Sequence, residues 1–299
     1  MSARETQIVR DPSKLRFLTD AARLSGDRVG LVPTMGALHS GHLSLVDEAV
    51  RCCDLAVVSV FVNPTQFGPG EDFERYPRDL ERDAAALCER GVALIFAPEV
   101  DALYPEGHST SVRVSGLSAG LCGANRPGHF EGVATIVTKL FNIVGPCRAI
   151  FGRKDYQQLK VIERMVADLD MPVEVAGLPT VRERDGLALS SRNAYLSAEQ
   201  RARALSLSRG LAAAHALWRD GERSVGALRE AALIPVQRSA DRVDYVTAAD
   251  PQTLFELDDG DFAPGKLLIA AAARVGPTRL IDNTVLGEDS PPGSASEEE

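Results

Sequence analysis

Two imidazoles three residues apart, His39 and His42, lie in the segment PTMGALHSGH (Pro33 to His42), between a β-branched run and an amphipathic stretch. The spacing puts a strand end and a helix start here, with both rings on one face of the first helical turn. In an open α/β sheet, ligands gather beyond the carboxyl ends of strands. A helix N-terminus placed there turns unpaired N–H groups and the positive end of its dipole towards an anion. Gly36 and Gly41 let backbone approach closely, and the dipole disfavours an imidazolium. Neutral imidazoles donating N–H bonds to a phosphate are the natural reading. The bland alternative is a helix cap with satisfied side chains. Zinc is a poor fit, because no cysteine or acidic third ligand stands nearby.

Other residue types suit the same chemistry. Lys154, just past the apolar run AIF, and Arg192, in DGLALSSRN, are cations of the kind a triphosphate needs. Asn63 and Gln66 follow the run LAVVSVFV, and Gln158 sits one turn into the helix after Lys154. Amides read hydroxyl and carboxylate oxygens without neutralising a nucleophile, although each is otherwise an ordinary loop or helix-surface residue. The stretch GPGEDFERYPRD (Gly68 to Asp79) reads either as a mobile wall closing over an intermediate or as plain loop. Asp83, on the next helix, is a weak magnesium candidate set against a solvated surface carboxylate. GDFAPGK (Gly260 to Lys266) matches G-x-x-x-x-G-K but fails as a phosphate loop. Leu267 replaces the magnesium-binding Ser/Thr, and a strand-like run follows where a helix is required.

The elements that must position these groups alternate through the first 180 or so residues. Strands read near 28–33, 55–62, 92–96, 149–151 and 173–177, and helices near 40–53, 78–90, 132–144 and 156–169. Leu43, Val46, Ala49, Val50 and Cys53 mark the apolar stripe of the first of these helices, and LAVVSVFV reads as a strand buried on both faces. The pattern predicts a doubly wound, Rossmann-like parallel α/β sheet over residues 1–190. Two Ala- and Arg-rich helical segments (198–218 and 224–236) and three strand-like pieces then predict a smaller α+β C-terminal domain over 191–286. The acidic stretch 287–299 lacks apolar content and reads as disordered.

Composition narrows the partners. The 299 residues are 44% hydrophobic, which excludes disorder of the whole chain, and the longest apolar run, Leu267 to Ala273, is too short to cross a bilayer. Five of the nine net negative charges belong to Glu288, Asp289 and Glu297 to Glu299, so the body is nearly balanced. It has no clustered basic face for nucleic acid, and small ligands are favoured over polymers. An odd cysteine count with no C-x-x-C spacing points to reduced thiols and a cytoplasmic setting.

H-x-G-H at a first strand-to-helix turn resembles the signature of the adenylyl-transferring superfamily that includes class I aminoacyl-tRNA synthetases. FVNPTQF (61–67), RPGHF (126–130), GRKDYQQL (152–159), DGLALSSRN (185–193) and TRLIDN (278–283) occur in that order. With them the chain closely resembles the pantothenate synthetase family from about Gln7 to Asn283. The resemblance implies ATP-dependent ligation of (R)-pantoate with β-alanine through pantoyl adenylate, releasing AMP and pyrophosphate, as a step of coenzyme A biosynthesis. It implies an ATP site at Met35, Gly36, Ala37, Leu38, His39, Ser40, Gly41, His42, Gly152, Arg153, Lys154, Asp155, Val181, Leu189, Ser190, Ser191 and Arg192. His42 carries the family's proton-donor role, and His39 and Lys154 are its catalytic companions. Gln66 and Gln158 would hold pantoate, with Gln66 also near β-alanine and Asn63 as a secondary contact. Mg²⁺, a homodimer and a cytoplasmic location are implied as well. Three positions depart from the family pattern: Arg153 stands where Glu is common, Thr65 where Met is frequent, and Cys122 where Glu is usual. The last is expected to leave a contact unfilled. The alternatives are a nucleotidyltransferase that stops at AMP or CMP transfer, for which paired glutamines have no purpose, and a binding module without chemistry.

Overall fold

The computed structural model describes residues 6–263 and 265–293. In chain order the first part runs β1 (Gln7–Val9), α1 (Pro12–Leu24), β2 (Val29–Thr34), α2 (Ser40–Cys52), β3 (Leu55–Val60), α3 (Leu80–Cys88), β4 (Leu94–Phe96), α4 (Val100–Leu103), α5 (Leu121–Asn125), α6 (His129–Val144), β5 (Cys147–Gly152), α7 (Tyr156–Asp168) and β6 (Val173–Leu178). The remainder runs α8 (Ala198–Ala204), α9 (Ser206–Arg219), α10 (Val225–Ser239), β7 (Arg242–Ala249), β8 (Leu267–Val275) and β9 (Thr278–Leu286).

Two compact units emerge. The first holds the described residues through Ser118, with Arg126–Arg153 and Gln158–Leu178; the second holds Ala119–Asn125, Lys154–Gln157 and the described residues from Pro179 onward. In the first unit six strands pair in the order β1-β4-β3-β2-β5-β6, and every pairing is parallel. All but the last residue of β3 are buried, as its mainly apolar run, with Ser59 as the one polar residue, requires when helices cover both faces. Val46 and Ala49 of α2, Leu87 of α3 and Val58 and Ile95 of the sheet form one apolar core. That core fixes α2 against the sheet and aims its N-terminus at the carboxyl end of β2.

The second unit has a three-stranded antiparallel sheet in the order β7-β8-β9, covered by α9 and α10 through Leu207, Leu211, Leu228 and Val236. β8 begins at Leu267, directly after the G-x-x-x-x-G-K decoy, where a phosphate loop needs a helix. The helical stretch expected over 198–218 is interrupted at Leu205. α8 opens on a capping box between Ser197 and Gln200. Of the acidic stretch 287–299, residues 287–293 are described, and there Glu288 pairs with Lys266 at 2.7 Å while Asp289 accepts the N–H of Val285. Residues 294–299 lie outside the described part. No described helix is long and apolar enough to cross a membrane.

His215 of α9 is buried against β9, its Nε2 2.7 Å from Thr284 Oγ1. Burial lowers its pKa from the ordinary 6.5, opposed by Asp289 and reinforced by Arg182. The native ring therefore stays neutral at pH values where the unfolded chain takes up a proton. The contribution is complete above about pH 6.5 and is lost as pH falls towards the lowered native value. In thermal melts between about pH 7.5 and about pH 5, His215→Gln should lose less of its midpoint than the parent. Equal losses would show that His215 does not drive this acid sensitivity.

Candidate active site

The turn from β2 to α2 is built from within. Thr34 Oγ1 accepts the N–H of Gly36 and donates to Ser59 O, while Gly36 and Ala37 take positive φ of 78° and 50°. Glycine suits the first; the second is strained for an alanine and needs support. Asp83 supplies it, accepting the N–H of Ala37 at 2.9 Å and of Leu38 at 2.8 Å. Its residue is only 2% exposed, and burial raises the carboxyl pKa against the pull of these two bonds. The sequence suggested magnesium or solvent for this side chain; both its oxygens instead hold the turn. Among the described residues no three His, Cys, Asp or Glu side chains form a group fit to bind a metal.

His39 is the N-cap of α2, and its side chain makes no capping hydrogen bond. The His39 and His42 rings stack with centroids 4.0 Å apart, an arrangement suited to uncharged rings because two imidazolium charges would repel. Ser40 and Gly41 lie between them in the first turn of α2, and Met35 precedes His39 by four residues.

Beyond β3, Pro64–Gln66 form a 3₁₀ turn. Gln66 Nε2 lies 3.0 Å from Met35 Sδ, so the amide expected to read an acid adjoins the turn expected to read a nucleotide. Asn63 Nδ2 donates to Gln66 Oε1 and to Gly132 O. A Cβ at Gly132 would come within 2.4 Å of Thr65 O, so glycine is what lets α6 lie against this turn. Two residues of RPGHF, given no role from sequence, grip it further. His129 Nδ1 is 2.8 Å from Gln66 O, and Arg126 donates to the same oxygen while pairing with Glu71 at 2.6 and 2.7 Å. Glu71 belongs to the 68–79 stretch. With Phe67 packed edge-on against Phe73 and Tyr76, that stretch is an anchored loop without helix or strand.

Gly152 ends β5, and Arg153, Lys154 and Asp155 form a 3₁₀ turn leading to α7, which carries Gln158. Lys154 Nζ stands 4.0 Å from Asp155, and its backbone carbonyl accepts 2.7 Å from Asn283 Nδ2, a buried residue of β9. Val181 and Leu189 face each other across a hairpin, Leu189 N donating to Val181 O. Arg182 forms two bonds to Asp282, which fix that hairpin to β9. Ser190 caps a 3₁₀ turn over Ser191–Tyr195 that carries Arg192. Thus the second unit gathers Val181 and 189–192 at one hairpin, and Asp282 and Asn283 hold that hairpin and the Lys154 turn. Cys122 does not leave its surroundings empty: Sγ is 3.1 Å from Tyr245 OH and 3.5 Å from Arg279, which also pairs with Asp244.

The profile of the family described as Pantoate-beta-alanine ligase matches residues 7–285. The chain belongs to the pantoate-β-alanine ligases. It is 55% identical to a pantothenate synthetase of Geotalea uraniireducens over 90% of this chain and 94% of that one. The crystal structure of pantothenate synthetase from Thermus thermophilus superposes with a TM-score of 0.87 at 51% identity, covering 93% and 99% of the two chains. A pantoate-β-alanine ligase from Francisella tularensis, solved with β-γ ATP and β-alanine, has a TM-score of 0.75 at 29% identity and covers 96% and 99%. The parallel sheet and smaller antiparallel domain are those of a ligase of this family, and its membership excludes the non-catalytic binding module.

Proposed function

We propose that this ligase joins (R)-pantoate to β-alanine in two steps at the expense of ATP. A carboxylate oxygen of pantoate attacks the α-phosphorus, forming pantoyl adenylate and releasing pyrophosphate. The β-alanine amine then attacks the acyl carbon, loses a proton, and AMP leaves with the bonding electron pair. The observation that carries this reading is the contact between Gln66 and Met35, which sets an acid-reading amide beside the histidine turn.

Carboxylate and triphosphate repel, so the enzyme must offset their charge and stabilise what grows on the phosphoryl oxygens. His39 and His42 donate N–H bonds there, His42 as proton donor. Lys154 supplies a cation, with Gly152, Arg153 and Asp155 beside it in sequence and Val181, Leu189, Ser190, Ser191 and Arg192 completing the nucleotide contacts. Met35 to Leu38, Ser40 and Gly41 give the backbone part. Gln66 and Gln158 hold pantoate, supported by Asn63, and Gln66 also contacts β-alanine. Excluding water matters in the second step, because a mixed anhydride hydrolyses readily. Since Asp83 is engaged by backbone N–H groups, Mg²⁺ would be held chiefly by the phosphates of ATP, where it neutralises charge. The family resemblance supports a cytoplasmic homodimer.

The test is pyrophosphate release from ATP with pantoate alone, followed by AMP release when β-alanine is added. Pyrophosphate that depends on β-alanine from the start would contradict the adenylate route. Gln158→Ala should raise the pantoate KM by about tenfold, as expected for a lost hydrogen bond to a charged group, with a smaller effect on the ATP KM. An equal rise in both would remove Gln158 from the acid site.

A further inference from the structure

Asn63 is 1% exposed and fully bonded, and the direction of those bonds can be deduced from one backbone atom. Gly132 O accepts only, so the Asn63 atom 3.2 Å away must be the amide nitrogen. The same nitrogen faces Gln66 at 3.1 Å, so the Gln66 atom there must be its oxygen, and Nε2 is the opposite end. Asn63 Oδ1 in turn faces two hydroxyls, Tyr104 OH at 2.8 Å and Thr65 Oγ1 at 3.0 Å, both of which must donate to it. Thr65 and Tyr104 hydroxyls also lie 3.3 Å from each other.

We propose that Tyr104 and Thr65 are positioning residues for the acid substrate: their two hydroxyls lock the Asn63 amide, which locks the Gln66 amide with its N–H₂ end as a donor for a pantoate oxygen. This rests on the reading that Gln66 holds pantoate. A flipped Asn63 amide would set its oxygen against the Gly132 carbonyl, so that carbonyl fixes the polarity, and the two hydroxyls donating to Oδ1 hold the group in place. Gln66 therefore meets the ligand in one polarity, and that polarity suits an acceptor such as a carboxylate or hydroxyl oxygen.

The surroundings of Tyr104 suit a fixed hydroxyl. Its ring stacks near Phe61 at 6.4 Å, takes the edge of His108 at 5.0 Å and lies under Lys139 Nζ at 5.5 Å. Burial raises the phenol pKa above its usual 10, so the group remains a donor through the neutral range. None of these ring contacts needs the hydroxyl, so Tyr104→Phe removes the donor and keeps the packing.

The experiment measures pantoate-dependent pyrophosphate release for Tyr104→Phe, Thr65→Val, the double variant, Thr65→Ser and Gln66→Ala, with thermal melts alongside. The single variants should raise the pantoate KM about threefold and the double variant about tenfold, while the ATP KM stays within about twofold. Thr65→Ser, which keeps the hydroxyl, should stay close to the parent. A double variant with an unchanged pantoate KM, or with equal rises for pantoate and ATP, overturns the relay, provided Gln66→Ala raises the pantoate KM. If Gln66→Ala itself leaves the pantoate KM unchanged, the acid-site reading of Gln66 fails, and the relay fails with it.

Discussion

Replacing His42 with alanine should slow pantoate-dependent pyrophosphate release by about 10² or more, the usual scale for losing a donor to a transition-state oxyanion. The fold gives reasons to expect a catalytic rather than a structural loss. His42 is half-buried in the first turn of α2, and that helix is anchored further along the same face by Leu45, Val46 and Ala49. The turn before it is held by Asp83. Melting should therefore stay cooperative and near the parent midpoint while turnover collapses. The decisive measurement is single-turnover formation of pantoyl adenylate. Retained turnover there would take His42 out of the chemistry and leave its stacking on His39 as a packing contact.

The second large effect concerns Lys154. Lys154→Met keeps most of the aliphatic stem and removes the charge, and it should lower kcat/KM for ATP by about 10². Asn283 holds Lys154 through the backbone carbonyl, a bond that the substitution leaves in place, so the turn between β5 and α7 should persist. Lys154→Arg should restore little, because a broad planar guanidinium does not replace a compact ammonium at a fixed phosphate contact. Steady-state kinetics at varied ATP with saturating pantoate decide the matter. A kcat/KM for ATP within about threefold of the parent would show that the ammonium contributes no phosphate stabilisation.

What was legible in the sequence depended on how far apart the cooperating residues lie. Five of the six parallel strands were readable because they and the long helices between them announce their own period, as Val46 and Ala49 do in α2, whereas β1, three residues long, and the short α4 and α5 do not. The histidine turn was readable because its parts are adjacent. Asp83 was not: an acid on a helix looks solvated, and its N–H partners come from a turn 45 and 46 residues earlier in the chain. Tyr104, Arg126 and Asn283 escaped a role for the same reason, since each acts on a residue 41 or more positions away. Two local features were also missed. α1 carries a clear start in Asp11 and Pro12, but exposed Phe17 and Leu24 blur its apolar stripe. The break at Leu205 between α8 and α9 is hidden because the apolar spacing continues through it.

The carboxylate beneath the β2-to-α2 turn has a consequence for the catalytic cycle. On the proposed reading that this turn receives the nucleotide, a cradle braced by the protein's own carboxylate keeps its shape after AMP departs, so the next nucleotide meets a finished mould rather than a slack loop. The entropy of ordering that loop is met once, when the chain folds, and does not recur with each turnover.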